Sequence, residues 1–360
     1  MADDPLFDAP PQNDQFETAI LCALGFESSA VEQLFDEVWY DDQIKKHPKD
    51  RNTYTTGSID ERLVVLAWMH GIGKAKAASV AGDLRFSFDN IKHIFVVGVC
   101  GGLPKSTEDQ DILLGDIIIS THLQKYDEGK QYPTGYLAGG KCNPDRETLP
   151  FLTKLKESSH TQERLLTLCV KNLKDKFGGN KHRPGPQDDR LYQSQYLHKH
   201  YDKSCQVCNI SSPDSVCDAA RTLNCDELQC GNSHLVERKR LRSILKTPSD
   251  EGKKYPIIHI GAIGSGDTVM KSGNHRDRVA KQEQVIAFEM EGAGVYEQIG
   301  SVVVIKAVCD YADSHKNKQW QRYAAMTAAA CTKAFLLMRS GGQSWRARAR
   351  EILHPVSGFG

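Results

Sequence analysis

Residues 94–99 read Ile-Phe-Val-Val-Gly-Val, and a glycine-rich turn, Gly98–Gly102, overlaps their end. An uninterrupted apolar run of this kind is typical of a central strand that is covered on both faces. Helical spacing of apolar residues occurs at residues 31–38 and in the Ala-rich segment after Gly71. Further strand-like runs lie on either side, at residues 19–24, 54–59, 63–69, 113–120, 256–263 and 302–308. Strands that alternate with helices predict an α/β layered fold.

The composition excludes several classes of protein. The 360 residues carry 46 basic and 46 acidic side chains, so bulk charge does not favour nucleic acid as a partner. No apolar run approaches the roughly 18 residues of a membrane span, and the acidic N-terminus does not resemble a secretory signal. We therefore expect a cytoplasmic protein that binds neither membrane nor nucleic acid. Its 11 cysteines are expected to be reduced thiols.

The pattern predicts one main domain over residues 17–340. Residues 1–16 are expected to form a disordered lead-in and residues 341–360 a basic tail. Within the domain, residues 142–254 are polar and bear cysteines and histidines, with two helices predicted at 149–156 and 164–177. We interpret this segment as an insertion.

Two acidic motifs are candidates for a site, and each has a structural alternative. Glu289 and Glu291 bracket Met290 before a run of small residues, where acidic side chains also suit the start of a helix. Asp310 ends the apolar run 302–309. A carboxyl group there can act as a general acid, but an aspartate that caps a turn is at least as common.

A third candidate is a stretch rich in metal-binding residue types. Cys205 and Cys208 have the spacing of zinc ligands, but the later cysteines do not repeat it. We favour unpaired thiols or local packing over zinc as the explanation of the stretch, and we assign no metal. The stretch contains His198, His200, Cys205, Cys208, Cys217, Cys225 and Cys230. The basic run that follows at residues 238–242 is expected to be a solvated helix face.

The chain resembles the purine nucleoside phosphorylase/uridine phosphorylase superfamily. Within it, the chain is most similar to the 5'-methylthioadenosine/S-adenosylhomocysteine nucleosidase branch and its fungal members. The resemblance covers about residues 18–337, with 142–254 as an insertion typical of the fungal group. It is carried by the segments ILCALGFESSAV, YTTGSI, HGIGKAKAASVA, VVGVCGGLP, LLGDIIIS, GSGDTVMKSG, AFEMEGAG and KAVCDYADSHKNKQW. It implies a three-layer α/β/α sandwich around a twisted mixed sheet, assembled as a homodimer or higher homo-oligomer.

The resemblance also implies roles for individual residues in the cleavage of an N-glycosidic bond. Glu27 would activate water and Asp310 would protonate the purine at N7. Glu291 would bind the ribose hydroxyls and Met290 would pack against the sugar. The other substrate contacts would be Val99, Cys100, Gly101, Val269, Met270, Glu289 and Cys309. No cofactor is implied.

Three functions remain open at this stage. We expect a purine nucleosidase, and the alternatives are a phosphate-dependent phosphorylase and a non-catalytic nucleoside-sensing module of a fungal signalling protein. No NACHT or repeat segment follows the domain in this chain, which favours a free-standing enzyme. In the phosphorylases, arginines and a serine or threonine hold the phosphate. The matching positions in this chain are Glu27, Thr56, Val96 and Val99. Because these residues provide no cation, water is the expected nucleophile.

Overall fold

The computed structural model of the protein describes residues 11–40, 43–202, 205–210, 215–246 and 256–339. The strands are β1 (Thr18–Cys22), β2 (Glu37–Tyr40), β3 (Thr53–Ile59), β4 (Arg62–Trp68), β5 (His93–Gly102), β6 (Ile117–Lys125), β7 (Gly129–Tyr132), β8 (Gly135–Ala138), β9 (Lys141–Cys142), β10 (Ile258–Ser265), β11 (Val285–Glu289) and β12 (Val303–Asp310). The helices are α1 (Gly25–Glu32), α2 (Lys74–Ser87), α3 (Thr148–Glu157), α4 (Ser159–Phe177), α5 (Lys239–Leu245), α6 (Gly273–Glu283), α7 (Gly292–Ile299) and α8 (Gln321–Arg339).

One mixed sheet organises the protein. Its strand order is β11-β10-β6-β12-β5-β1-β4-β3-β2, with β9 paired to β6. The central strands β4, β1, β5 and β12 are parallel, whereas β6 is antiparallel to β12. β11 also pairs antiparallel with the last residues of β5, where Phe288 lies opposite Gly101. The sheet therefore curls, and the end of β11 meets the end of β5.

Helices cover both faces of this sheet. α8 packs on α1 and α4, while α2 packs on α7. The central strand predicted at residues 94–99 is β5, and most of its side chains are buried. The predicted three-layer α/β/α arrangement is confirmed.

The helix predicted over residues 31–38 is wrong. α1 ends at Glu32, and Val38 belongs to β2, which pairs antiparallel with β3. Leu34 and Phe35 are buried in the turn between them, so a compact turn produced the apolar spacing of a helix. The β-favouring sequence Val-Trp-Tyr and the pairing with β3 determine the strand.

Parts of the predicted lead-in and insertion belong to the folded core. Phe16 is buried and packs edge-on against Phe88, so order begins before residue 17. α4 buries Leu165 and Cys169 against α8. Residues 1–10 and the predicted tail at 341–360 lie outside the described residues.

The expectation of a solvated basic run at residues 238–242 is also wrong. Arg238 is buried, and its Nη1 lies 2.6 Å from Oδ1 of buried Asp189. Arg240 Nη2 donates to Asp116 Oδ1 at 2.6 Å. Neighbouring Arg242 is exposed, so the run divides between the interior and the solvent.

All eleven cysteines are described, and each is a free thiol. No described helix combines the length and apolarity that crossing a membrane requires.

Candidate active site

One cavity collects every catalytic and substrate-contact residue that the resemblance implies. It lies where the carboxyl ends of β1, β5 and β12 meet those of β10 and β11, the usual position of a ligand in an α/β sheet. The curl of the sheet at β11 brings the ends of β10 and β11 to this point. The named residues in its wall are Glu27, Val99, Cys100, Gly101, Val269, Met270, Glu289, Met290, Glu291, Cys309 and Asp310.

Glu27 is held inside the first turn of α1. Its Oε2 accepts hydrogen bonds from the backbone N–H groups of Ala23 at 3.0 Å and Leu24 at 2.9 Å. Its Oε1 accepts one from Val99 N at 2.7 Å. Burial raises the pKa of Glu27 above its usual value of 4.5. A carboxylate has about four acceptor positions, so Oε1 retains one for a further donor such as water.

Two glycines in β5 make room for the acidic side chains. A Cβ on Gly98 would lie 2.1 Å from Glu27 Oε1. A Cβ on Gly101 would lie 3.0 Å from Asp310 Oδ1. The glycine-rich end of β5 is therefore the surface against which both carboxylates pack.

Glu291 is buried and forms an ion pair with a lysine. Its Oε2 lies 3.1 Å from Lys306 Nζ, and its Oε1 accepts a long hydrogen bond from Gly73 N. Burial alone would lower the pKa of Lys306, but the charges of Glu291, Glu27 and Glu289 outweigh it and raise that pKa. Lys306 therefore stays an ammonium among carboxylates.

Glu289 has its hydrogen bonds within the protein. Its carboxylate accepts N–H groups of Glu291 at 2.9 Å and of Gly292 at 2.9 and 3.1 Å, which cap the start of α7. Burial, followed by the charge of Glu291, raises the pKa of Glu289.

Asp310 ends β12 opposite Gly101. Its Oδ1 accepts the N–H of Ala312 at 2.8 Å and lies 3.0 Å from Lys316 Nζ. Its Oδ2 is 3.4 Å from the Cys309 thiol. Oδ1 is therefore engaged by a cation and a backbone donor, while Oδ2 has only a weak thiol donor.

An apolar wall faces these polar groups. Met270 is buried against Phe288 and Tyr126, whereas Val269 remains 45% exposed at the mouth. Met290 adds a partly buried side chain between the two glutamates. A flat apolar ligand would find contacts along this wall.

Sequence reasoning missed the two lysines of the cavity. Lys306 interrupts the apolar run 302–308, and a single charge in a predicted buried strand was the signal available. Lys316 follows Asp310 in the loop and had no distinctive pattern. Thr56, by contrast, is buried, with its hydroxyl bonded to Trp39 O, and is not in the cavity wall.

The metal-binding residue types come together elsewhere. Donor atoms of His198, Cys225, Cys230 and His315 lie within 4.8 Å of one another, as do those of His200, Cys205 and Cys217. The sequence analysis grouped most of these residues and assigned no metal, but it did not include His315.

Comparison with known proteins agrees with this architecture. Residues 17–176 match the family model described as Phosphorylase superfamily. A nucleotide-binding leucine-rich repeat (NLR)-like protein of Hyaloscypha variabilis is 29% identical over 335 residues, and these cover 91% of this chain. The chain spans only 30% of that relative's length.

Solved structures share the fold at low sequence identity. The 5'-methylthioadenosine/S-adenosylhomocysteine nucleosidase of Neisseria meningitidis has a TM-score of 0.51 at 17% identity, over 89% of this chain and 97% of that one. The corresponding nucleosidase of Streptococcus pneumoniae has a TM-score of 0.51 at 18% identity, over 89% and 99%. Futalosine hydrolase of Helicobacter pylori has a TM-score of 0.50 at 15% identity, over 89% and 97%. Over residues 17–176 the chain is thus similar in sequence to the phosphorylase superfamily, and its fold is similar to that of these nucleosidases.

Proposed function

We propose that this protein hydrolyses the N-glycosidic bond of purine ribonucleosides and releases the free base and ribose. The observation that carries the proposal is that Glu27, Glu291 and Asp310 converge in one cavity. Cleavage of a glycosidic bond passes through a sugar with oxocarbenium character, so it needs a nucleophile, negative charge near the sugar and a neutralised leaving group. Three carboxyl groups in different environments can divide these tasks.

Glu27 is the proposed general base. Its carboxylate would accept a proton from water as the water oxygen attacks C1' of the sugar. Burial raises its pKa, which makes it a stronger base, and three backbone N–H groups hold it in place.

Glu291 is the proposed ligand of the ribose diol. Lys306 and Gly73 N fix the orientation of its carboxylate, which still has acceptor positions for two hydroxyls. Met290, the next residue, would pack against the sugar ring.

Asp310 is the proposed general acid. As the bond from C1' to the base breaks, Asp310 would transfer a proton to N7 of the purine. Oδ2 is the oxygen suited to carry that proton, because Oδ1 is engaged by Ala312 N and Lys316. Met270 and Phe288 supply an apolar surface for the base.

The charges of the cavity favour water over phosphate as the nucleophile. The expectation that no cation lies nearby needs correction, since Lys306 is buried close to Glu27 and Glu291. However, three carboxylates already surround this lysine. A phosphate dianion placed there would face Glu27 and Glu291 without a free cation to pair it in the described cavity wall, and burying such a charge costs several kcal/mol.

The test is a panel of purine and pyrimidine nucleosides, incubated with and without phosphate. We expect free ribose and free purine base at the same rate in both conditions, and loss of that rate in Glu27→Gln. Glu32→Gln, on the same helix but outside the cavity wall, is the matched control and should retain the rate. Ribose 1-phosphate that appears only with added phosphate would replace this proposal with a phosphorylase.

A nucleoside-sensing module is the second candidate, because a relative of this chain is a much longer NLR-like protein. The same panel separates the two functions when calorimetric binding accompanies it. Saturable nucleoside binding without release of base, equal in the wild type and in Asp310→Asn, would favour the sensor.

A homo-oligomer remains part of the proposal. The hairpin of β7 and β8 exposes Tyr132, Tyr136 and Leu137, an apolar group that a second copy could cover. Light scattering coupled to size-exclusion chromatography tests this, and a monomeric mass at micromolar concentration would contradict it.

A further inference from the structure

A Cys2His2 cluster joins the polar insertion at residues 142–254 to the loop that follows Asp310 at the end of β12. It consists of His198, Cys225 and Cys230 from the insertion and His315 from the loop after β12. His198 and His315 are 6% and 7% exposed. We propose that these four side chains bind a structural zinc ion.

The spacing of the donor atoms suits a tetrahedral centre. Zinc bonds of about 2.3 Å to sulfur and about 2.0 Å to nitrogen place neighbouring donors roughly 3.5 Å apart. Cys225 Sγ lies 3.6 Å from His315 Nδ1, and all four donor atoms lie within 4.8 Å of one another. Two thiolates and two imidazoles form one of the common ligand sets of structural zinc.

The hydrogen bonds around the histidines point to a ligand in the centre. His315 Nε2 lies 3.0 Å from Tyr196 O, the position of an N–H donated to that carbonyl, which directs Nδ1 toward the cluster. Metal-bound histidines usually donate their other N–H in this way. Nε2 of buried His198 has no hydrogen-bond partner among the described residues. A buried nitrogen without a partner is costly, and a metal bond would satisfy it.

Binding would convert the two thiols to thiolates and release their protons, so that two negative charges balance the Zn²⁺. The alternative for two neighbouring cysteines is a disulfide, which would leave the two histidines without a role.

A separate observation supports a second zinc ion in the same insertion. Donor atoms of His200, Cys205 and Cys217 lie within 4.8 Å of one another. Cys208 lies beside them, and its Sγ accepts a hydrogen bond from Cys217 N at 3.4 Å. His200 Nδ1 is buried without a partner among the described residues. We infer that these four residues form the second centre.

The zinc content of the 360-residue chain tests both sites. It is measured by inductively coupled plasma mass spectrometry after expression in zinc-supplemented medium. We expect two zinc ions per chain in the wild type. The double variant Cys225→Ala/Cys230→Ala should lose one, and Cys205→Ala/Cys217→Ala should lose the other. Cys169→Ala/Cys331→Ala removes two buried core thiols and should keep both ions.

Cobalt replacement of the wild-type protein keeps the test decisive if a variant does not fold. Thiolate ligands give Co²⁺ an intense charge-transfer absorption, together with the visible bands of a tetrahedral centre. A wild-type protein that contains no zinc and shows no such bands with Co²⁺ would refute both sites. A disulfide between Cys225 and Cys230 would refute the first site. Wild-type content of one ion, lost in Cys225→Ala/Cys230→Ala, would refute the second site alone.

Discussion

A single lysine, Lys306, faces Glu27, Glu289 and Glu291 inside the protein. Its charge compensates for carboxylates whose burial would otherwise be costly, and burial raises the pKa of both Glu27 and Glu289. Local sequence offered one sign of this arrangement, a lysine in an apolar strand. Its partners lie on two other segments of the chain, around Glu27 and at residues 289–291, so the pairing itself could not be predicted.

Lys306→Met should destabilise the protein by about 3–5 kcal/mol at neutral pH, because it leaves buried carboxylates without a counter-ion. The loss should shrink as the pH falls through the raised pKa values of Glu27 and Glu289, since protonation removes their charge. Urea unfolding at neutral and mildly acidic pH measures both quantities. An equal loss at the two pH values would indicate a packing defect instead.

Asp310→Asn should retain the fold and lower kcat for purine nucleosides by about 10²–10⁴, the range expected for loss of a general acid. Asparagine preserves the acceptor for Ala312 N but cannot transfer a proton to the leaving base. A thermal melt checks that the fold is retained, and steady-state kinetics measures the loss of kcat. Unchanged turnover would remove Asp310 from the mechanism.

The pH dependence of kcat/KM should report Glu27. A general base must be ionised, so activity should fall as the pH drops through its raised pKa, which places the acidic limb above about 4.5. Rates measured from acidic to neutral pH locate this limb. An acidic limb that Glu27→Gln leaves in place would assign the titration to another group.

At the scale of the elements, prediction succeeded where one local pattern determines one structure. β5 contains a continuous apolar run and β12 an apolar run with one lysine, and both were predicted within a few residues. The turn after α1 was mistaken for helix because Leu34 and Phe35 are buried there at helical spacing. Val38 lies in a strand because β2 pairs with β3, and the spacing of apolar residues along the chain does not report such pairing.

The two kinds of arginine in the basic run should respond differently to substitution. Arg238→Leu leaves buried Asp189 without its ion pair and should cost about 3–5 kcal/mol of stability. Arg242→Leu, only four residues away and exposed, should change stability by no more than about 0.5 kcal/mol. Chemical denaturation of both variants measures the difference. Similar effects would mean that the Arg238–Asp189 pair is not maintained in solution.

At the scale of the whole molecule, the fold and the acidic residues of the cavity were accessible from sequence through the resemblance. Pattern alone had marked Asp310 and the motif at 289–291, while Glu27 had no local signal. The contacts of the insertion were not accessible, because Cys225 meets His315 across 90 positions and Arg238 meets Tyr311 across 73. Such contacts depend on how the chain folds back on itself.

The segment from Tyr311 to His315 is held on several sides, and this has a thermodynamic consequence. Arg276 donates to Tyr311 O at 2.8 Å, the Tyr311 hydroxyl donates to Asp189 Oδ1 at 2.7 Å, and His315 contacts Cys225. Asp310 immediately precedes this segment. Whatever the insertion binds and whatever the cavity binds therefore share one structural element, and coupling between two sites is reciprocal. If occupation of the insertion raises the affinity of the cavity for a nucleoside by some factor, the nucleoside must raise the affinity of the insertion for its own ligand by the same factor.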